Sequence, residues 1–284
     1  MMLHAESSTK PITCFNVGGY KVETKSVPKS SSSTTPNPPL FVVYPTEKGT
    51  YPVILFLHGF SIPNTSYSDL FEFIASHGYI IVAPGQTLLG FLTGMCVFSA
   101  VGDVDDAAET ANWINNNQGE NLKLVLPHDV TPDLENVALA GHSKGGKAAF
   151  ALALGHATTS LIQGLGDDGF CGCFPPAAPW GCNHPFFFNE CKPPTCYFVA
   201  KDFGHMDMLN NWMARLSGMF VCKSGKGSYA DMRRACGGIF VAFLKNYMFN
   251  DAEDLTAIIK SSVTELYPRF LDELTLGGLD LFIS

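Results

Sequence analysis

Asn136-Val137-Ala138-Leu139-Ala140-Gly141-His142-Ser143-Lys144-Gly145-Gly146-Lys147-Ala148-Ala149-Phe150-Ala151-Leu152-Ala153-Leu154 reads as a strand, a tight turn and a helix. Its first five residues form a short apolar run, and its last nine are rich in Ala and Leu. Gly141-His142-Ser143-Lys144-Gly145 between them fits Gly-x-Ser-x-Gly, in which a sharp strand-to-helix turn holds the serine hydroxyl exposed above a sheet. Glycine is needed on both sides, because a side chain there would collide with the crossing strand or helix. The N-terminus of the helix aims backbone N–H groups at the place where an oxyanion forms. The five-residue pattern alone also fits a chance glycine turn. The strand before it and the helix after it make Ser143 the candidate nucleophile.

Outward from this turn, strands and helices alternate. Residues 12–27 alternate loosely and read as an opening hairpin around Gly18-Gly19, followed by a Ser/Thr/Pro-rich connector over 29–39. Leu40–Pro45 is a strand. Tyr51–Leu57 is a continuous apolar run, as expected of a central strand covered on both faces. A helix over Ser68–His77, a buried strand over Tyr79–Pro84 and a helix over Asp103–Asn115 lead to the nucleophile strand. Beyond Gly155, Thr195–Ala200 is a clear strand, and Ile239–Met248 and Ala252–Ser261 read as terminal helices. Strands alternating with helices indicate an α/β fold, a mainly parallel central sheet with helices on both faces. Neither an internal repeat nor a linker divides the chain, so residues 1–284 are expected to form one domain.

Composition narrows the function. Hydrophobic residues make up 46% and charged ones 15%, a globular balance. A net charge of −8 argues against a nucleic-acid partner, which favours a basic stripe. No apolar run approaches the roughly 18 to 20 residues of a membrane span. The first residues contain no apolar stretch of the kind a secretory signal requires, and they lack the arginines of a transit peptide. Nine cysteines cannot all pair within the chain, and five of them fall between 171 and 196 (Cys171, Cys173, Cys182, Cys191, Cys196). Paired Cys-x-x-Cys units are lacking there, so a zinc site is not expected; a local disulfide or reduced buried thiols fit better.

A serine nucleophile needs a base and a carboxylate that orients it, in the chain order Ser, acid, His for this architecture. Of the eight histidines, His156, His184 and His205 follow Ser143. His156 sits near the end of the nucleophile helix, where an imidazolium suits the dipole. His184 lies in a Pro/Phe-rich stretch with no strand before it. His205 follows the last clear strand by a few residues, next to Gly204, and is the candidate base. His58-Gly59-Phe60 ends the central apolar strand, where the Phe60 and Lys144 amides would form an oxyanion hole. The Lys144 side chain is expected to be solvated. For the acid, Asp167 and Asp168 follow a short apolar run and are favoured over Glu190 and Asp202, with Asp168 preferred. The 62 residues from Ser143 to His205 are few for a chain that should insert an acid-bearing strand between them.

Several stretches together resemble the plant chlorophyllase family, serine esterases of the α/β-hydrolase fold. They are Pro52–Phe60, Gly141–Lys147 followed by Ala149–Leu152, Asn183-His184 with Phe187–Cys191, and Phe198–Met208. The resemblance carries the family's nucleophile onto Ser143 and its histidine onto His205, with Lys144 where the family has arginine. After Leu161 the family continues with a strand ending in Ile-Asp-Pro-Val, whose Asp is the triad acid. This chain passes almost directly to Gly164-Leu165-Gly166 and contains no Ile-Asp-Pro.

The resemblance implies hydrolysis of the phytyl ester of chlorophyll to chlorophyllide and phytol, in the chloroplast, with peripheral membrane contact as a route to pigment. Cytosol or endomembrane are the alternative compartments. No protein cofactor or metal is implied, since magnesium belongs to the substrate. The aromatic residues Phe174, Trp180 and Phe186-Phe187-Phe188 suit a flat macrocycle with an apolar tail, or equally a core cluster. A general carboxylesterase or lipase, and a pigment-binding protein that lost its acid, remain the alternative readings.

Overall fold

Period-two alternation sorts the side chains of the short apolar strands onto two faces, and each face is covered by helices. The computed structural model describes residues 12–29, 38–85, 101–153, 196–200, 202–220, 222–260, 271–276 and 281–283. In chain order it places β1 (Val22–Val27), β2 (Leu40–Pro45), β3 (Gly49–Leu57), a 3-10 turn (Asn64–Tyr67) running into α1 (Ser68–Ala75), and β4 (Ile80–Pro84). Then come α2 (Val101–Asn115), α3 (Glu120–Lys123), β5 (Val130–Gly141) and α4 (Lys144–Ala153). The remaining elements are β6 (Cys196–Ala200), α5 (Asn211–Phe220), α6 (Tyr229–Phe249), α7 (Glu253–Lys260), β7 (Leu271–Leu276) and β8 (Leu281–Ile283).

The larger sheet has the order β1-β2-β4-β3-β5. Its centre is parallel, β3 pairing with both β4 and β5, and its β1–β2 side is antiparallel. Ile54 and Phe56 of β3, Ile81 and Ala83 of β4, and Phe41 and Val43 of β2 pack with α1, α6 and α7. Their neighbours Val53, Leu55, Leu57, Ile80, Val82, Leu40 and Val42 pack on the other face with α2 and α4. Burial on both faces accounts for the unbroken apolar runs of β3 and β4. β6 lies in a second sheet, ordered β7-β6-β8, and its Phe198 and Ala200 join the same core as Ile54 and Phe56.

One register fixes where the site forms. Leu57 pairs with Gly141, so β3 and β5 end side by side. His58-Gly59-Phe60 and His142-Ser143-Lys144 therefore leave the sheet together at its carboxyl edge.

Several sequence expectations need correction. Residues 12–27 are not a hairpin around Gly18-Gly19. The Gly18 amide donates to Ser76 Oγ (2.8 Å) and the Tyr20 amide to the Ser76 carbonyl (3.0 Å), and the one strand, β1, pairs with β2 instead. The helix read as Ile239–Met248 begins at Tyr229, where Ser228 caps it by accepting from the Asp231 amide (3.1 Å). Asn250, at φ 55°, ends it. The connector residues 30–37 lie outside the described residues. No helix among the described residues is long and apolar enough to cross a membrane.

Candidate active site

Ser143 adopts φ 57°, a left-handed conformation that a non-glycine residue takes only when its surroundings hold it there. Those surroundings are tight. The His142 amide donates to the Leu57 carbonyl (3.0 Å) and the Gly145 amide to the His142 carbonyl (2.9 Å). A Cβ on Gly145 would run into the backbone carbonyls of Leu57 and His58, so only glycine lets α4 begin this close to β3.

The two candidate oxyanion amides are aimed by their own peptide planes. In a trans peptide the N–H points opposite to the preceding carbonyl. The Gly59 carbonyl accepts from the Ile62 amide (3.2 Å) and from His58 Nδ1–H (2.8 Å), which fixes the direction of the Phe60 N–H. Likewise the Ser143 carbonyl accepts from the Gly146 amide (3.0 Å) and the Lys147 amide (3.4 Å), which fixes the Lys144 N–H at the helix start. Contrary to expectation, the Lys144 side chain is not solvated. The residue is buried, and its Nζ lies 5.5 Å from the centre of the Phe60 ring. That cation–π contact spans the two loops.

His205 is held by a clamped loop. Asp202 sits at φ 62° and is exposed, and its carbonyl accepts from the Lys226 amide (2.7 Å) and the Gly227 amide (3.0 Å). Asp207, fully buried, takes the Gly204 amide (2.7 Å) and the Gly225 amide (2.8 Å) on Oδ2. Farther along, the Asn210 amide donates to the Ser66 carbonyl (2.8 Å), and Asn210 Nδ2 donates to Ser68 Oγ (2.9 Å). Arg233 of α6 donates to the Leu209 carbonyl (2.7 Å) and to Asn211 Oδ1 (2.9 Å). The loop is thus fixed from both sides of His205.

The structure brings His205 to the turn that carries Ser143. Its ring lies 4.5 Å, centre to centre, from that of His142, the residue before Ser143. His142 Nε2 lies 2.9 Å from the His205 carbonyl, and His142 Nδ1 lies 2.8 Å from the Tyr67 hydroxyl. Burial, and next the His205 charge, hold the His142 pKa well below the ordinary imidazole value. Burial raises the Tyr67 phenol in the same way.

Tyr67, His142 as a buried polar link, Asp207 and Arg233 were not singled out in the sequence as site residues. The one available signal was a histidine flanked by apolar strand and glycine, with no solvent-facing neighbour pattern.

Asp167, Asp168 and Glu190 lie outside the described residues, as do His156, His184, Phe174, Trp180, Phe186–Phe188 and Cys171–Cys191. Cys14, Cys222 and Cys236 are buried, and burial pushes the Cys14 and Cys236 thiols up to about 12. Among the described residues, no group of three His, Cys, Asp or Glu is placed to hold a metal ion.

A serine at positive φ between a parallel strand and a helix, with a histidine loop brought beside it, belongs to an α/β protein of the serine ester hydrolase class. Comparison with known proteins is more specific. The chlorophyllase family model matches residues 10–163 and 161–276, and the chain belongs to that family. It is 37% identical to chlorophyllase-1, chloroplastic, of Citrus unshiu over 291 positions, covering 89% of this chain and 86% of the relative. It is 36% identical to chlorophyllase-1 of Arabidopsis thaliana, covering 82% and 83%, and 33% identical to chlorophyllase-2 of Arabidopsis thaliana, covering 89% and 94%.

The Citrus unshiu alignment has 291 positions but takes up 89% of 284 residues, about 253, so about 38 positions face no residue of this chain. The two stretches matched by the family model meet at 161–163. No Ile-Asp-Pro occurs there or elsewhere in the chain.

Proposed function

We propose that this chain is a single-domain α/β-hydrolase-fold esterase that cleaves the phytyl ester of chlorophyll. The observation carrying the reading is Ser143 at φ 57° in a Gly-x-Ser-x-Gly turn beside the loop that follows β3. In this reading Ser143 Oγ attacks the ester carbonyl while His205 takes its proton. The Phe60 and Lys144 amides receive the negative oxygen of the tetrahedral intermediate. His205 returns the proton to the departing phytol oxygen. Water, deprotonated by His205, then releases chlorophyllide from the acyl-enzyme, and the proton returns to Ser143. Asp168, or else Asp167, orients His205.

The chloroplastic Citrus relatives support a chloroplast location. Peripheral membrane contact is supported by α5, which follows the His205 loop and exposes Trp212, Leu216 and Met219 at helical spacing.

Incubation of the purified protein with chlorophyll tests the reading. Phytol and chlorophyllide should form, and Ser143→Ala should abolish both. Cleavage of a nitrophenyl ester without phytol release would replace chlorophyll by small esters as substrate. Chlorophyll binding without product, indifferent to Ser143→Ala, would make the protein a pigment binder.

A further inference from the structure

A directional hydrogen-bond chain runs beneath the candidate nucleophile. A carbonyl oxygen only accepts, so the 2.9 Å contact with the His205 carbonyl requires a proton on His142 Nε2. In the neutral ring His142 Nδ1 is then a bare acceptor, and the Tyr67 hydroxyl, 2.8 Å away, donates to it. The Tyr67 oxygen in turn accepts the Gly59 amide (2.9 Å). Each group has one role, and the order is Gly59 N–H to Tyr67, Tyr67 O–H to His142, His142 Nε2–H to the His205 carbonyl.

The chain is built for fixed geometry. Tyr67 and His142 are buried, and Tyr67 is held by rings on three sides: Phe71 (5.7 Å, stacked), Phe56 (5.0 Å) and His142 (5.7 Å, edge-on). A Cβ on Gly59 would stand 2.8 Å from Ile62 Cδ1 and 3.0 Å from His142 Nδ1, so glycine leaves room for the His142 ring. The titratable groups facing His142 are Tyr67, His205 and His58. A second proton on His142 would have no acceptor at Nδ1 while Tyr67 donates there.

We propose that Tyr67 and His142 are positioning residues of the esterase. Together they lock the loop bearing the Phe60 amide to the loop bearing His205, so that oxyanion donor and base keep one fixed separation. The inference rests on the reading of Phe60 and His205 as that donor and base. His142, the variable position of Gly-x-Ser-x-Gly, thus joins the two halves of the site without touching substrate.

Steady-state kinetics on an ester substrate, normalised to sites titrated with a serine-directed phosphonate, test the role. Tyr67→Phe keeps the ring packing and removes the link. It should lower kcat about 10- to 100-fold with KM changed less than about threefold, the scale expected when a group is displaced by about an ångström. His142→Gln, which keeps an N–H near the Nε2 position, should retain more kcat than His142→Leu. Nitrogen NMR of histidine-labelled wild-type protein should show His142 protonated at Nε2 only, unchanged from pH 8 to pH 5.5.

An unchanged kcat in Tyr67→Phe, equal kcat in the Gln and Leu variants, or a proton on His142 Nδ1 would overturn the inference. The NMR result stands even if a variant does not fold. Full activity of Ser143→Ala would instead overturn the reading of the site itself.

Discussion

Asp207 Oδ2 accepts the amide of Gly225, 18 residues away, at 2.8 Å, and the same oxygen accepts the amide of Gly204 at 2.7 Å. One carboxylate oxygen therefore joins the His205 loop to the loop before α6. Asp207→Ala would strand the buried Gly204 N–H, at a cost of about 1–3 kcal/mol, and the half-buried Gly225 N–H at less. Asp207→Asn can still offer one oxygen to both amides and should lose less. Urea unfolding should rank the stabilities wild type, Asn, Ala. Hydrogen exchange at Gly204 and Gly225 should accelerate most in the Ala variant. Equal stability of the Ala variant and wild type would remove the clamp from the account of how His205 is placed.

Ser143 should limit stability as well as make the chemistry. At φ 57° it carries strain of about 1–3 kcal/mol that glycine avoids. Ser143→Gly should therefore be more stable than Ser143→Ala by about 1 kcal/mol, while both lose hydrolysis. Thermal unfolding of the two inactive variants is the comparison, because neither retains the hydroxyl. If Ala is as stable as Gly, the turn is not held in a strained state.

How far the site could be read from sequence follows from the range of each interaction. The turn at Gly141–Gly145 was legible because its strand, glycines and helix are contiguous. The strands β2 and β4 were legible within a residue, since burial on both faces leaves an uninterrupted apolar run. The link from Tyr67 to His142 spans 75 residues and depends on the 3-10 turn before α1, so no local pattern announces it. α5 was missed because its exposed face carries Trp212, Leu216 and Met219, which blurs the contrast between apolar and polar sides. β1 misled because its loose alternation suits a hairpin, whereas its partner β2 lies beyond the Ser/Thr/Pro-rich connector.

Two adjacent glycines should differ sharply in their tolerance of a single methyl group. In Gly145→Ala the new Cβ meets the Leu57 and His58 carbonyls, backbone atoms that cannot swing aside. Overpacking of this kind costs about 1–3 kcal/mol or more, and it would push α4 away from β3. A Cβ on Gly146, inside α4, would stand 3.3 Å from the Gly141 carbonyl oxygen and 3.7 Å from its carbon. There Ala gains about 1 kcal/mol of helix propensity, which should offset the small adjustment. Esterase activity and unfolding midpoint should both collapse in Gly145→Ala and stay near wild type in Gly146→Ala. Similar losses in the two would refute the close approach of α4 to β3.

The neutral state of His142 should make stability depend on pH in a direction that can be worked out. Its folded pKa is depressed, first by burial, from an ordinary value of 6.5. Below about 6.5 the unfolded chain binds a proton that the folded protein refuses, so the unfolded state is favoured as pH falls. Above that value neither state is protonated and the contribution vanishes. Stability should therefore decline from about pH 6.5 downward, by up to about 1.4 kcal/mol per pH unit from this group alone. His77, also depressed by burial, adds to the slope, so wild type by itself does not isolate His142. His142→Gln does, since glutamine does not titrate. Its unfolding free energy, measured between pH 7.5 and 5, should fall less steeply than wild type by up to that amount. Parallel slopes would mean that His142 takes up a proton in the folded protein. The Tyr67 hydroxyl would then have to turn away from Nδ1, and the fixed order of the chain from Gly59 to His205 would be lost.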